Sequence, residues 1–374
     1  MNFRTSQEAL SAALDRVFPA VARTSALPIL KYVRVEAAGD NSLTLTGTDL
    51  ERTITTRCGG IVETPGVTMV DAALLRQLIK AMPTEPVVGE LQTSRLRLSC
   101  GSVQAQLGIL DPDDFPMLTT PTGEAVAIPG ATLLEAITAV SYAAAQKVTA
   151  GRATLNGVHI ELAGGRLGLT TADSYRLAHF DQALPGSPAA SAIIPVKTMT
   201  MLAGLIGDTS EVLLRFERSH NTVWFEIGGT SLCSQVIEGS YPDWRRILPS
   251  SHDTTVAVSV ARVADALRAC LIVSKTAASL VRLTIAPPDT LTLSAEGGTD
   301  ATMVTIPATI EGDALETACN GAYLLETCRA LPSEQGLIKI ELRKASDPFV
   351  LRPASEGDTT QVHVVVPRHI ARTL

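Results

Sequence analysis

The stretch LTLTGTDLERTI, residues 43–54, joins an alternating apolar run to a polar end. Read alone, it predicts a half-buried strand that ends in a small polar group. The pattern returns as LGLTTADSYRLA from residue 167 and as LTLSAEGGTDAT from residue 291, each 124 residues after the one before. Solenoid repeats span only about 20–50 residues. The spacing therefore predicts three whole domains of one fold.

The repeat also bears on the polar end of the first stretch, where Asp49 precedes Glu51 and Arg52. Asp49 has a counterpart in Asp173, whereas the third stretch is shifted and reads GGTD. An Asp that follows a strand commonly accepts hydrogen bonds from the backbone of a turn. We favour this structural interpretation of Asp49, and a small functional site is the alternative.

Other features recur with the same period. Each unit opens with apolar residues at i, i+4 and i+7, which predicts a helix with one buried face. These residues are Leu10, Leu14 and Val17, then Leu133, Ile137 and Val140, then Val263, Leu267 and Cys270. A second helix is predicted in VDAALLRQLIKAMP, PVKTMTMLAGLIG and NGAYLLETCRALP. With the alternating runs around them, each unit predicts two helices and about eight mostly antiparallel strands.

Composition excludes some classes of protein. The 374 residues are 45% hydrophobic with a formal net charge of −7. No run of about 18 apolar residues occurs, and the first residues lack a continuous apolar segment, so we expect neither a membrane span nor a secretion signal. The six cysteines form no CxxC pair, which favours free thiols in a reducing compartment. Mild acidity still allows a basic face that binds nucleic acid.

Three sheet-containing units can join edge to edge, which leaves the first and last edges open. A head-to-tail contact between two chains would pair these edges and close a ring. Inward-facing helices with basic residues would then line a hole for a polyanion, and solvated helix positions are the alternative. The candidate cations on or beside the helices are Arg16, Arg76, Lys80, Lys197, Arg268 and Arg329.

Several longer stretches resemble one family. They are LPILKYVRVEA at 27–37, LTGTDLE at 45–51, DDFP at 113–116, LNGVHIEL at 155–162, ADSYRLA at 172–178, YPDWRRILP at 241–249 and NGAYLLETCRAL at 320–331. Together they are similar to the bacterial DNA polymerase III beta subunit, the sliding clamp. The resemblance implies an α+β fold with three tandem clamp-type domains at 1–122, 123–250 and 251–374. In each domain two helices would pack on antiparallel sheets, and the chain would form a ring as a head-to-tail homodimer.

The resemblance also implies a function without catalysis or a cofactor. The ring would encircle duplex DNA in the bacterial cytoplasm, independently of base sequence, and hold the replicative polymerase on it. Weak phosphate contacts suit such a sliding ring. The positions that match the DNA contacts of the family are Arg23, Lys80, Arg152 and Lys197.

A second implied site is a groove that binds short linear peptides of polymerases, the clamp loader and repair proteins. The matching positions are Leu155, Ala172, Ser174, Tyr175, Arg176, Leu177, Pro242, Arg246, Ile247, Ser346, Pro348, Val364, Val366, Pro367 and Arg368. For Leu177 and Ile247 an ordinary core position is the alternative. The dimer seam would contain Ala105 and Leu107 of one chain and Leu271 and Ile272 of the other.

The sequence departs from the family pattern mainly around the groove. Ala172 replaces a frequent Thr, Tyr175 a frequent His or Arg, Val366 a frequent Met, and Cys319 a frequent aromatic residue. The chain also continues past Arg368 to Leu374. These departures suggest a divergent or second-copy clamp with altered peptide affinity, tolerant of a groove-directed inhibitor; lineage drift is the alternative.

Two other functions compete with the clamp. An enzyme would need a catalytic motif, and the sequence has no P-loop, GxSxG, GxGxxG or HExxH, while its six histidines lack metal-ligand spacing. An oligomeric adaptor that binds proteins but not DNA is the second competitor.

Overall fold

A computed structural model describes residues 1–117, 119–147, 151–274, 279–331, 336–354 and 359–368. The helices in these ranges are α1 (Gln7–Val17), α2 (Ala72–Ala81), α3 (Gly130–Val140), α4 (Val196–Ile206), α5 (Val260–Val273) and α6 (Gly321–Ala330). Each repeat therefore contributes two helices, as the sequence predicts.

Strands surround these helices in every repeat. The first repeat forms β1 (Asn2–Ser6), β2 (Tyr32–Ala38), β3 (Ser42–Thr48), β4 (Arg52–Gly59), β5 (Ile61–Thr64), β6 (Gly66–Asp71), β7 (Pro86–Gln92), β8 (Arg95–Cys100) and β9 (Val103–Leu110). The second forms β10 (Val126–Pro129), β11 (Gly157–Ala163), β12 (Arg166–Ala172), β13 (Arg176–Ala183), β14 (Ala190–Pro195), β15 (Glu211–Glu217), β16 (Thr222–Ile227) and β17 (Thr230–Gln235). The third forms β18 (Thr254–Ser259), β19 (Leu280–Ala286), β20 (Thr290–Gly297), β21 (Asp300–Pro307), β22 (Thr309–Glu311), β23 (Leu315–Asn320), β24 (Leu337–Leu342), β25 (Phe349–Pro353) and β26 (Thr359–Val365).

The chain divides into two compact units. Unit one is Met1–Leu133 with Met201–Val236, and unit two is Leu134–Thr200 with Ile237–Leu374. Unit one holds a 13-stranded sheet in the order β10-β15-β16-β17-β4-β3-β2-β6-β9-β8-β7-β1-β5. Unit two holds a nine-stranded sheet, β14-β11-β12-β13-β26-β25-β24-β18-β22, and a four-stranded sheet, β21-β20-β19-β23. All described strand pairs are antiparallel, as the alternation predicts.

Helix α1 shows how the repeats bury their cores. Ser6 caps the helix by accepting a hydrogen bond from the Ala9 amide at 3.1 Å. The predicted face, Leu10, Leu14 and Val17, is almost fully buried. The matching residues on α3 and α5 are buried as well, which confirms the predicted helix faces. Truncating a residue such as Leu14 to Ala would cost about 2–5 kcal/mol of stability.

One strand of each repeat keeps the 124-residue spacing: β4, β13 and β21 begin at Arg52, Arg176 and Asp300. In unit one β4 pairs with β17, and in unit two β13 pairs with β26. Strand β21 lies at the edge of its sheet and pairs only with β20 among the described strands. Two of three equivalent strands thus have a second neighbour, and the third does not.

Strand β9 is the counterpart of β17, because each is the second strand of a tight hairpin. Cys100 pairs with Val103 at the β8–β9 turn, and Ile227 pairs with Thr230 at the β16–β17 turn. On its other edge, away from β8, β9 pairs only at its end, where Ile109 and Leu110 pair with β6. Within the described part of the chain, residues 103–108 therefore have one open edge.

Candidate functional site: a groove and basic helix faces

Asp49 and Asp173 build the same turn in two repeats. Oδ1 of Asp49 accepts from the amides of Glu51 (3.1 Å) and Arg52 (2.7 Å), and Oδ2 accepts from Nη2 of Arg52 at 2.5 Å. Asp173 holds the amides of residues 175 and 176 in the same way, both at 3.0 Å. The structure thus confirms the cap interpretation for Asp49.

In the second repeat the Arg of this turn makes further contacts. Nε of Arg176 donates to Asp173 Oδ2 at 3.0 Å, and Nη1 donates to Glu326 Oε2 on α6. Its guanidinium carbon lies 4.3 Å from the ring centroid of Tyr323 and 5.3 Å from that of Tyr142. The residue is only 6% exposed. Burial lowers the pKa of Arg176, but the two carboxylates outweigh it and raise the pKa above its usual value, so the side chain is a fixed cation.

An apolar cluster lies on the nine-stranded sheet, on the face opposite to Arg176, because neighbouring residues of a strand point to opposite faces. Leu177 and Val364 face each other across β13 and β26. The buried members of the cluster are Leu155, Ala172, Leu177, Trp244, Val350, Val362 and Val364. For Leu177, at 1% exposed, the core interpretation is therefore correct. The structure brings Leu155, Ala172, Leu177 and Val364 of the predicted groove together as a floor.

More exposed groove residues lie around this floor. Tyr175 is 56% exposed and Ile247 is 43% exposed, so the core alternative for Ile247 is wrong. Exposed Pro242 precedes Asp243, which pairs with Nε of Arg246 at 3.0 Å. The amide of Val366 donates to the Tyr175 carbonyl at 2.8 Å, which attaches the end of the described chain to the Asp173 turn.

The remaining predicted groove residues lie by a neighbouring cleft. The amide of Arg368 donates to the carbonyl of Ala318 at 2.7 Å. Pro348, two residues after Ser346, is half-buried. The cleft has a volume of about 200 Å³ and is lined by Glu316, Thr317, Ala318, Ala345, Ser346, Pro367 and Arg368. Residues 369–374, part of the departure from the family pattern, lie outside the described ranges.

A buried polar chain supports the floor from below. The hydroxyl of Tyr142 lies 3.0 Å from Thr327 Oγ1 and 3.0 Å from Nδ1 of His363. Burial lowers the pKa of His363 to about 3 and that of His179 to about 4. Both imidazoles are therefore neutral at physiological pH.

Sequence reasoning missed Tyr142, Tyr323 and Glu326. Tyr323 and Glu326 are three residues apart on α6, so they share one helix face next to Arg176. That spacing was readable within NGAYLLETCRAL. The position of Tyr142 had no comparable signal, because only the fold places it under Arg176.

The candidate cations of unit one differ in how they are engaged. Nζ of Lys80 lies 2.8 Å and Nε of Arg76 lies 2.5 Å from the same oxygen, Asp15 Oδ1. Arg16 donates to Thr230 Oγ1 at 3.1 Å. Arg23 is exposed and makes no ion pair or side-chain hydrogen bond within the described ranges.

In unit two, Arg152 is exposed and its Nη1 lies 3.2 Å from Ser174 Oγ. Lys197 is exposed on α4, and Arg329 is exposed on α6. Arg268 pairs with Asp265 one turn before it on α5. The predicted pore cations are thus on the surface, but Arg152 contacts the turn beside the groove.

Comparisons with known proteins agree with these landmarks. The family models for the DNA polymerase III beta subunit match as N-terminal domain at residues 1–119, central domain at 127–243 and C-terminal domain at 245–367. The chain belongs to the DNA polymerase III beta subunit family. Its three clamp domains are each a mixture of helices with antiparallel sheets; the exact limits 1–122, 123–250 and 251–374 stay a prediction.

Individual relatives span the whole chain. The beta sliding clamp of Synechococcus elongatus is 28% identical over 96% of this chain and 97% of its own. The beta sliding clamp homolog GriR of Streptomyces muensis is 24% identical over 98% and 99%. The crystal structure of the Pseudomonas aeruginosa sliding clamp bound to griselimycin has a TM-score of 0.91 and 26% identity, covering 99% of this chain and 100% of that one.

The predicted seam residues of this beta subunit homologue differ in accessibility. Ile272 is 71% exposed, and Ala105 and Leu271 are half-buried. Leu107 is only 6% exposed within its own chain. Its place in the dimer seam stays a prediction, with the side chain turned toward the core of unit one.

Several features bear on other classes of protein. All six cysteines are free, four of them buried. Among the described residues, no group of three or more His, Cys, Asp or Glu side chains could hold a metal ion. No helix in those residues is long and apolar enough to span a membrane.

Proposed function

We propose that two copies of this chain close head to tail into a ring that encircles duplex DNA and holds a replicative polymerase on it, in the bacterial cytoplasm. The single observation that carries this proposal is the pair of open strand edges on β21 and β9. Their counterparts, β4 with β17 and β13 with β26, are paired within the chain. An exposed edge strand is a template for pairing with another chain.

The repeat also supplies the register of the missing pair. Thr230 pairs with Thr56, and their counterparts are Val103 on β9 and Val304 on β21. Antiparallel pairing then places Gln104 opposite Met303 and Ala105 opposite Thr302. Met303 is 74% exposed in one chain, so this pairing would bury apolar surface that a lone chain leaves in water. A heterologous contact of this kind closes a ring when the rotations complete a turn.

For the hole, we propose that Arg23, Lys80, Arg152 and Lys197 contact phosphates. All four are exposed, and none belongs to a dense basic run. Sparse cations give weak contacts without base readout, which suits a ring that slides. Such a protein needs no catalytic site and no cofactor, because topological linkage itself retains it on DNA.

For the groove, we propose that aliphatic or aromatic anchors of partner peptides pack above the buried layer of Leu155, Leu177 and Val364, which supports the surface of the groove. Tyr175, Ile247 and the exposed Arg246 would border the peptide, whose sources are the polymerase, the clamp loader and repair polymerases. An apolar floor with a few polar groups at its margin is the usual form of such sites.

A topological experiment tests the ring. The protein is loaded by a bacterial clamp loader and ATP onto nicked circular plasmid, and retention is measured by gel filtration before and after linearisation. Retention on circles and release from linear DNA is the expected result. Retention on both would indicate an ordinary DNA-binding protein, and retention on neither would favour the adaptor that binds proteins alone.

A cross-linking experiment tests the seam. The variant Gln104→Cys/Met303→Cys should give covalent dimers under mild oxidation. The matched control, Gln104→Cys/Thr302→Cys, directs the second thiol to the opposite face of β21, since side chains alternate along a strand. Equal dimer yield from both variants, or none from either, would contradict the proposed register. The single variants Gln104→Cys and Met303→Cys control for cross-links to the native cysteines.

A further inference from the structure

We propose that Asp15 is an internal competitor for DNA phosphate, which weakens the grip of the α1–α2 surface on the duplex. The inference rests on the proposed function, because it concerns how strongly the ring holds DNA. It is drawn from one carboxylate oxygen, Asp15 Oδ1, that binds two cations at once: Nε of Arg76 at 2.5 Å and Nζ of Lys80 at 2.8 Å.

The three side chains lie at the surface and not in the core. The exposed fractions are 42% for Asp15, 32% for Arg76 and 43% for Lys80. A phosphate approaching this surface would therefore meet both cations, but it would have to displace the carboxylate first. Surface ion pairs contribute only about 0–1 kcal/mol each, so displacing the carboxylate costs little free energy.

A second contact keeps one cation in place. The guanidinium carbon of Arg76 lies 4.6 Å from the ring centroid of Phe18, directly after α1. Such a cation–π contact orients the guanidinium without neutralising it. Loss of Asp15 would therefore leave Arg76 near its present position, with its charge available to an anion.

The neighbouring cation does not replace this pair. Arg16 is turned to Thr230 of β17 by a 3.1 Å hydrogen bond. Among Arg16, Arg76 and Lys80, Arg76 and Lys80 are the two whose charge a carboxylate neutralises. A ring with unmasked cations would bind more tightly and slide more slowly, because sliding requires each phosphate contact to break.

The test is binding of a short fluorescent duplex to the dimer at several salt concentrations. Asp15→Asn should tighten binding about three- to tenfold at low salt and steepen the slope of log K against log salt by about 1–2, one counterion per newly free cation. The matched control is Glu8→Gln, an equal charge change on an exposed position of α1 that makes no ion pair in the described ranges. Its effect should be under about twofold, since screening weakens distant surface charges.

The triple variant Asp15→Asn/Arg76→Gln/Lys80→Gln separates competition from a general charge effect. If Asp15 acts through these two cations, the gain in DNA affinity caused by Asp15→Asn should be absent from the triple variant. Unchanged or weaker binding by Asp15→Asn, with thermal unfolding like wild type, would overturn the inference. Failure of the wild-type protein to be retained on circular plasmid would instead overturn the proposed ring.

Discussion

The guanidinium of Arg176 lies over the ring of Tyr323, with 4.3 Å between the guanidinium carbon and the ring centroid. This contact joins the start of β13, in the second clamp domain, to α6 in the third. Tyr175, next to it, has its ring centroid 6.3 Å from that of Tyr323. Tyr323 is therefore near both a fixed cation and the exposed Tyr175, which we propose borders the partner peptide.

Replacing Arg176 by Lys should destabilise the protein by about 1–3 kcal/mol. An ammonium cannot bridge Asp173 and Glu326 while stacking on Tyr323, and a buried carboxylate would lose a partner. The matched control is Arg52→Lys in the first repeat, where the equivalent turn is more exposed. Chemical unfolding at fixed protein concentration measures the free energy of unfolding of both variants. Equal losses would mean that the contacts of Arg176 to α6 add nothing.

Stability should fall as the pH decreases from about 6.5 to about 4.5. Burial keeps His179 and His363 neutral in the folded chain, with pKa values of about 4 and about 3. The unfolded chain protonates both near pH 6.5, so it binds more protons in this interval and is favoured by acid. The loss should be about 2 kcal/mol between pH 7 and pH 5.5.

The carboxylate of Glu217 affects stability in a lower pH interval than the two histidines. Hydrogen bonds from Ser219 and Thr122 lower the pKa of Glu217 to about 2, so its contribution is lost only as the pH falls below about 4.5. His363→Gln should flatten the dependence of the melting temperature on pH above 4.5, and the exposed His252→Gln should not. A profile unchanged by His363→Gln would contradict the assignment.

Substituting Ile272 by Glu should weaken the dimer at least tenfold. The side chain is 71% exposed in one chain, so a carboxylate is tolerated by the fold but desolvated at a seam. Sedimentation across a dilution series measures the dissociation constant. Met117→Glu is the control, a 95% exposed position away from both open edges in sequence. Equal dimer affinity for Ile272→Glu and wild type would remove Ile272 from the seam.

If the departures from the family pattern make the groove divergent, this chain should bind a polymerase-tail peptide and griselimycin more weakly than the Pseudomonas aeruginosa clamp does. The variant Ala172→Thr/Tyr175→His/Val366→Met returns three positions to residues common in the family and should raise both affinities. Fluorescence titration measures them side by side. Equal affinities for this chain and the Pseudomonas clamp would remove the idea of a divergent groove and leave lineage drift.

The fold was predictable because its signals repeat. The helix faces of Leu10 and Val263, and the turn of Asp49 and Asp173, each appear more than once, so errors in one copy are corrected by another. The groove was less predictable. Leu177 and Ile247 are both apolar, and only tertiary packing decides that one is buried and the other is 43% exposed. The burial of Leu107 was unpredictable for the same reason, since the alternation along β9 does not say which face is the core.

The contrast between two repeats also bears on where the proposed groove lies. Leu177 and Thr53 are equivalent positions 124 residues apart, as are Arg176 and Arg52. The β13–β26 junction is apolar, with Leu177 opposite Val364, whereas the β17–β4 junction places Thr53 opposite Cys233. A duplicated framework would in this way acquire the proposed binding surface at one junction through substitution of a few side chains.

The open edges of β9 and β21 determine where the proposed ring of two chains would open. Every other joint between repeats is spanned by continuous polypeptide, so thermal fluctuation or an ATP-driven machine would separate the subunits there first. Passage of a duplex into the annulus would then require breaking one short ladder of backbone hydrogen bonds, with no domain losing its own core. Abundance in the cell, through mass action, would decide what fraction of the chains is dimeric, and the rate of dissociation would decide how long each interface stays closed.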